Sequence, residues 1–301
     1  MSSAVPTIAL ARSRPWPPRT RTLTGLLAAT ATALLAFGTG ALADDVTTKF
    51  SAHAAGSTAT VDHSAWGRLL ATYVKPTPHG LNQVDYKAFK ASGQRELKDY
   101  VARLEASDPA KLDRPEQFAF WANLYNAKTI DIVLDHYPVG SIREIEIGGG
   151  LFGLIKKSVG AGGPWKAQVL KVSGAPLSLD DIEHKILRPV FKDPRVHYSV
   201  NCASRGCPNL GTEAFTGATI DAQLDAGARA FVNHPRGIAV TGDSITASSI
   251  YDWFQSDFGG SAAGVLEHVR KYAAPELAQR LSGLSSIASY DYDWKLNDIA
   301  R

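Results

Sequence analysis

The chain predicts a helix-rich α+β fold, a single mixed domain with a small antiparallel sheet, from three observations. Pro115 to Tyr137 is a long run with apolar residues on nearly every side, opened by Pro115 and closed by Pro138, which marks a buried helix. Several shorter stretches place apolar residues at helical spacing, among them Trp66, Leu69, Leu70 and Tyr73. The alternating stretches are short and bounded by Gly, Asp and Ser, so the strands are few and small. No repeat and no linker divides the chain after residue 60, so residues 61–301 are read as one domain.

The N-terminus is set apart first. Arg12, Arg14, Arg19 and Arg21 form a basic region, Leu23 to Phe37 is an apolar Ala/Leu/Thr stretch, and Ala41-Leu42-Ala43 reads as a cleavage signal. Residues 1–43 are therefore expected to be a secretory signal peptide cleaved near Ala43, giving a periplasmic or secreted protein with no stable membrane span. The whole chain carries a formal +3, but 32 basic residues less these four arginines leave 28 against 29 acidic. A mixed, near-neutral surface offers no footprint for nucleic acid. Residues 44–60, rich in small residues without periodicity, read as a flexible lead-in.

In order, Asp62 caps a helix that Pro76 and Pro78 stop, and a short extended piece around Val84 follows. A second helix, about Arg95 to Glu105, presents Leu97, Val101 and Leu104, and the long helix comes next. The glycine-rich segment from Gly148 to Pro164 lacks the Lys-Ser/Thr ending of a phosphate loop and reads as a flap or plain loop. Trp165 to Val172 alternates as a strand, and Ser178 with Asp181 approximates a capping box for a helix to Val190. Val196 to Asn201 reads as a strand. Beyond it are expected a helix over Thr219 to Asn233, a hairpin from Ile238 to Thr246, short helices after Ser248 and over Ala262 to Tyr272, and a half-buried strand from Tyr290.

Candidate site residues are those that break these patterns. Asn126 falls on the apolar side of the long helix, where it either braces a neighbouring loop or lines a site. Glu183 lies inside the apolar stripe of its helix, so it either pairs with an arginine or serves a cleft. His184 sits at the stripe's edge one turn from Asp180, a carboxylate able to fix its tautomer. Both cysteines of the chain, Cys202 and Cys207, fall in one loop separated by Ala-Ser-Arg-Gly. In an oxidising compartment a disulfide is the default for such a pair. An activated thiolate, a metal site and two inert thiols are the other readings. On a strand, His197 would point away from Cys202, which leaves His184 the freer partner.

Asn123-Leu124-Tyr125-Asn126-Ala127, the run Leu177 to His184, His197 to Pro208, and Tyr290 to Asn297 together resemble the family catalogued as domain of unknown function 547. The resemblance spans about residues 60–297. Members joined to thioredoxin- or glutaredoxin-like modules favour thiol chemistry at Cys202 and Cys207, and the family brings no assigned catalytic residues. Two functions follow as expectations. One is a cysteine-dependent hydrolase or acyl-transfer enzyme in which Cys202 or Cys207 attacks a carbonyl, His184 oriented by Asp180 moves the proton, Asn126 or backbone amides hold the oxyanion, and Glu183 orients. The other is a binding module stiffened by a Cys202–Cys207 disulfide. Either takes a small-molecule, peptide or polymer ligand of the envelope, with no cofactor and no metal.

Overall fold

The computed structural model describes residues 45–148 and 163–299; the expected signal peptide and most of the glycine-rich segment lie outside them. The long helix organises the rest. Helix α5 (Arg114–His136) begins at Asp113, whose carboxylate accepts from Arg114 N–H, and has Pro115 in its first turn. It is buried from Glu116 through Ala127 without a break, with Phe120, Trp121, Ala122 and Leu124 fully enclosed. Each such aromatic or leucine contributes about 1.5–3 kcal/mol by leaving water.

Helices α3 (Tyr86–Ser92) and α4 (Gln94–Glu105) pack on α5, and α2 (Ser64–Tyr73) packs on both; the helical spacing predicts α2 and α4, whereas the extended piece expected around Val84 gives way at Tyr86 to α3, capped by Asp85. Residues 44–60, expected as a flexible lead-in, carry a helical stretch α1 (45–51) whose Phe50 is buried edge-on against Trp121 at 4.9 Å. The β-structure is three small pieces: antiparallel pairs β1 (Val74–Pro76) with β2 (Asn82–Val84) and β3 (Leu170–Val172) with β4 (Ala175–Leu177), and a three-stranded sheet. In the last, β5 (Ile238–Thr241) and β6 (Ser244–Ser248) form the expected hairpin, turned at Gly242 (φ 56°). Strand β7 (Ser289–Asp291) joins β6 in parallel and stops there, although the alternation runs on to Leu296. Only the last three residues of the Trp165–Val172 alternation pair as a strand.

Helix α6 starts at Leu179 with the capping box in place: Ser178 Oγ accepts from Asp181 N–H, and Asp181 accepts from Ser178 N–H. From Ile182 to Phe191 it widens into π-type turns. Pro189, which has no N–H, lies inside these turns, and the Lys185 carbonyl accepts the Thr47 hydroxyl at 2.7 Å. The expected Val196–Asn201 strand is instead a short helix, α7 (Val196–Ser199). It is started by Pro194 and pinned by Arg195, which pairs with Asp193, Asp221 and Asp225. Local β-branched residues lose here to tertiary ion pairs, and the strand-based facing of His197 fails with the strand.

A second apolar cluster lies under α8 (Ile220–Val232), the hairpin, α9 (Ile250–Trp253) and α10 (Ala262–Tyr272). It encloses His268, 6% exposed, whose Nε2 is 2.9 Å from the Tyr198 hydroxyl. Burial, then the nearby Lys271, brings its pKa down to about 4. The unfolded chain binds this proton below about 6.5 and the folded one only below about 4. Stability is therefore whole above pH 6.5 and is lost on acidification toward 4, by up to about 3 kcal/mol. Thermal unfolding should show a lower midpoint at pH 5 than at pH 7.5, and His268→Gln should narrow that difference. Among the described residues no helix is long and apolar enough to cross a membrane.

Candidate active site

The cysteine loop is built by backbone pairing from two directions. From below, Asn126 acts as a peptide surrogate: its Nδ2 donates to Ser199 O and its Oδ1 accepts from Asn201 N–H, both at 2.8 Å. Asn123, one turn earlier on α5, brackets Phe215 in the same way. Asn201 closes the loop on itself, accepting from Ala203 N–H and donating to Pro208 O. Ala203 adopts φ 61°, a left-handed turn that folds Cys207 back toward Cys202. From above, segment 292–297 zips onto the loop: Arg205 N–H donates to Lys295 O, Gly206 N–H to Asp293 O, and Asn297 N–H to Ala203 O. A side chain at Gly206 would meet Asp293 N at 2.9 Å and the Tyr292 ring at 3.0 Å, so only glycine lets the strands approach this closely.

Both thiols are free, which corrects the expected disulfide. Cys202 is half-buried and Cys207 is 4% exposed. Cys207 Sγ accepts from Cys202 N–H at 3.0 Å. The Tyr292 hydroxyl stands 3.1 Å from each sulfur, and Ser204 Oγ lies 3.2 Å from Cys202 Sγ and 2.8 Å from Tyr292 Oη. The two thiols are hydrogen-bonded to each other. Burial works against a Cys207 thiolate, but hydrogen bonds from the Cys202 thiol, Tyr292, the Cys202 N–H and Ser204 bring its pKa down to about 7. Cys202 is pushed well up, first by its hydrogen bond to Cys207 and then by burial. Burial, and after it the neighbouring thiols, also keeps Tyr292 protonated as a donor.

Behind the loop stands a cation that sequence reasoning missed. Arg236 donates through Nη2 to Asn209 Oδ1 at 2.7 Å, while Nε and Nη1 are buried with no hydrogen-bond partner among the described residues. Burial lowers its pKa to about 10, opposed by the charges of Cys207 and Tyr292.

The thiols open into a cleft of about 380 Å³. Asp180, Glu183, His184, Cys202 and Cys207, five of the six residues singled out from sequence, line it. Asn126 does not; it is the brace beneath. Glu183, 9% exposed, is paired with no arginine among the described residues: the Tyr125 hydroxyl bonds it, and His197 Nδ1 is 4.0 Å away. His184 Nε2 is 3.7 Å from Asp180, too far for a hydrogen bond, and its Nδ1 meets Arg188 at 3.3 Å. His197, dismissed on the strand reading, lines the cleft, stacks on Phe254 at 4.3 Å and bonds Asp257 through Nε2 at 2.8 Å. Burial opposes ionisation of Asp257, but hydrogen bonds from His197 and Arg188 hold its carboxyl well below the usual range. Among the described residues His184 is thus hydrogen-bonded to Arg188 and His197 to Asp257, not to sulfur. Tyr292, Trp253 and Trp294 complete the wall; their signals in the sequence are the Tyr290–Asn297 run, for Tyr292 and Trp294, and the apolar face of α9, for Trp253. Among the described residues no group of three His, Cys, Asp or Glu is placed to hold a metal ion.

An α+β domain with a hydrogen-bonded pair of free thiols lining an aromatic-walled cleft is the class that fold and site define. Residues 109–232 match the model of the family described as Protein of unknown function, DUF547, the family the motifs resemble. The matched range holds α5, both cysteines, Glu183, His184 and His197, while Arg236, Trp253 and Tyr292 fall after it. No curated protein matches the chain, and no solved structure matches it. The family description carries no activity, so function must be argued from the cleft.

Proposed function

We propose that the protein is an exported cysteine-dependent hydrolase or acyl-transfer enzyme, with the Cys207 thiolate as nucleophile and the Cys202 thiol as its proton partner. What carries this reading is the pair of free, hydrogen-bonded thiols at a cleft, one of them ionised near neutral pH. Cys207 sulfur bonds to an acyl carbon, and the electron pair moves onto the carbonyl oxygen, toward which the Tyr292 hydroxyl turns from sulfur. When the tetrahedral adduct collapses, the bond to the leaving group breaks and the leaving group takes the Cys202 proton. Timing favours this transfer. The Cys202 proton is held first by its hydrogen bond to Cys207, which acylation removes, and then by burial. Water, or an acceptor nucleophile, then gives its proton to the Cys202 thiolate as it attacks the thioester, and the Cys207 thiolate leaves.

This assignment moves the proton step from His184 to Cys202, because the sulfurs touch each other's groups and Tyr292 rather than an imidazole. Glu183, Tyr125 and His197 form the polar wall facing the reacting carbon. Export belongs to the same proposal, supported by the Arg-rich region, the apolar stretch and Ala41-Leu42-Ala43. Sequencing the N-terminus of the exported protein should give Asp44 as its first residue.

The test is timed alkylation followed by intact mass. One thiol should react rapidly with a midpoint near pH 7, and Cys207→Ser should abolish that phase. Reaction of both thiols only with a midpoint near 9, or only after denaturation, would remove the activated nucleophile. Titration before and after reductant reports whether both thiols are free in the purified protein.

A further inference from the structure

Acyl transfer asks for one nucleophilic sulfur, and the loop supplies two. Cys202 and Cys207 are both free, both line the cleft, and are hydrogen-bonded to each other. One hydroxyl, that of Tyr292, stands 3.1 Å from each sulfur. Cys207 Sγ lies 3.0 Å from Cys202 N, against the main chain of the residue that carries the other sulfur. The remaining polar neighbour is Ser204 Oγ, 3.2 Å from Cys202 Sγ, and neither cleft histidine is hydrogen-bonded to sulfur. This is a setting for thiol exchange, whose leaving group is itself a thiolate and which needs no imidazole. Access sets the size of the partner. Cys207 is 4% exposed and is reached through the cleft of about 380 Å³, whose walls include Trp253, Phe254 and Trp294. Such an opening admits a small molecule and keeps out a disulfide carried on a folded protein.

We infer that the pair is a thiol–disulfide exchange centre that reduces small organic disulfides and is itself oxidised to a Cys202–Cys207 disulfide. The free thiols of the structure are the reduced form of this couple. The inference shares the Cys207 nucleophile with the acyl-transfer reading and none of its acyl chemistry. In the first step the Cys207 thiolate bonds to one sulfur of the substrate, the substrate's sulfur–sulfur bond breaks, and the other half leaves as a thiolate. That thiolate takes the Cys202 proton. In the second step Cys202 sulfur bonds to Cys207 sulfur, and the bond between Cys207 and the first half breaks, expelling a second thiolate. The protein gives up two electrons, and one disulfide becomes two thiols. Closure brings the sulfurs from a hydrogen bond to about 2.0 Å, on a loop already reversed by the left-handed turn at Ala203.

The test mixes reduced protein with hydroxyethyl disulfide in modest excess at pH 7, stops the reaction with acid and reads intact mass. The unmodified protein should lose the mass of two hydrogens and keep no adduct, and dithiothreitol should restore the original mass. Cys202→Ser, which has no second thiol, should stop at one hydroxyethylthio group, mapped to Cys207. Cys207→Ser should react at least about fivefold more slowly, because the remaining thiol is less ionised. Serine is close to cysteine in size, and the reading on the unmodified protein needs no variant. An adduct that persists in the unmodified protein, or no reaction at pH 7, overturns the inference. Loss of two hydrogens without an acyl mass increment from phenyl acetate upholds it and overturns the acyl-transfer reading. An acyl increment together with a persistent adduct does the reverse.

Discussion

Asn126→Leu should cost the protein about 3 kcal/mol or more, the largest loss expected from any single cleft-side substitution. Leucine fills the same volume but leaves Ser199 O and Asn201 N–H buried without the amide that now pairs both. Each unpaired group costs about 1–3 kcal/mol, and for a domain of this size the melting midpoint should fall by roughly 6–12 °C. Asn126→Asp, which keeps the acceptor for Asn201 N–H and loses the donor, should fall between. Asn123→Leu is the informative partner. It unpairs Phe215 by the same two bonds, so its stability loss should be similar. Cys207 alkylation at pH 7 should survive in Asn123→Leu and fail in Asn126→Leu, because Asn201 leads directly into the thiol loop. Equal loss of thiol reactivity in both would make the asparagine a general packing element rather than the brace of this loop.

Tyr292→Phe should leave stability nearly unchanged and move the chemistry. The ring keeps its place against Trp253 and Trp294, but both sulfurs lose their shared hydroxyl. That hydroxyl is one of the groups holding Cys207 near 7 rather than 9, so its removal moves the alkylation midpoint upward. A midpoint one unit higher lowers the thiolate fraction at pH 7, and with it the alkylation rate, about fivefold. At pH 9.5, where Cys207 is ionised in either protein, the two rates should converge. A pH-rate profile checks both arms, and an unchanged midpoint would show that the Cys202 thiol and N–H alone hold the charge.

The elements that the chain announces are those with local punctuation. Asp113 and Pro115 open α5, the Ser178–Asp181 box opens α6, and Gly242 turns the hairpin; each signal is complete within a few residues. Val196 to Asn201 misleads because its β-branched residues speak locally for a strand, while Arg195 is committed to carboxylates 26 and 30 residues away. The alternation from Tyr290 misleads differently. It is produced by Tyr292 and Trp294 facing the cleft, with backbone pairing to the thiol loop rather than to a sheet strand beyond Asp291. The site divides along the same line. Glu183 and the cysteines stand out because each is anomalous in its own neighbourhood. His197, Arg236 and Tyr292 acquire meaning only from partners that no local pattern names.

The zip between the thiol loop and residues 292–297 sets an order of events. Tyr292 follows Cys202 by 90 residues and Cys207 by 85. A chain that emerges N-terminus first, from a ribosome or a translocation pore, therefore presents both cysteines well before the hydroxyl they share. At roughly 5–20 residues per second that interval lasts several seconds. During it the pair has ordinary thiol chemistry, without the buried donor that later ionises Cys207. Ionisation of Cys207 is thereby tied to completion of the fold, so a nascent chain carries its cysteines in their less ionised form.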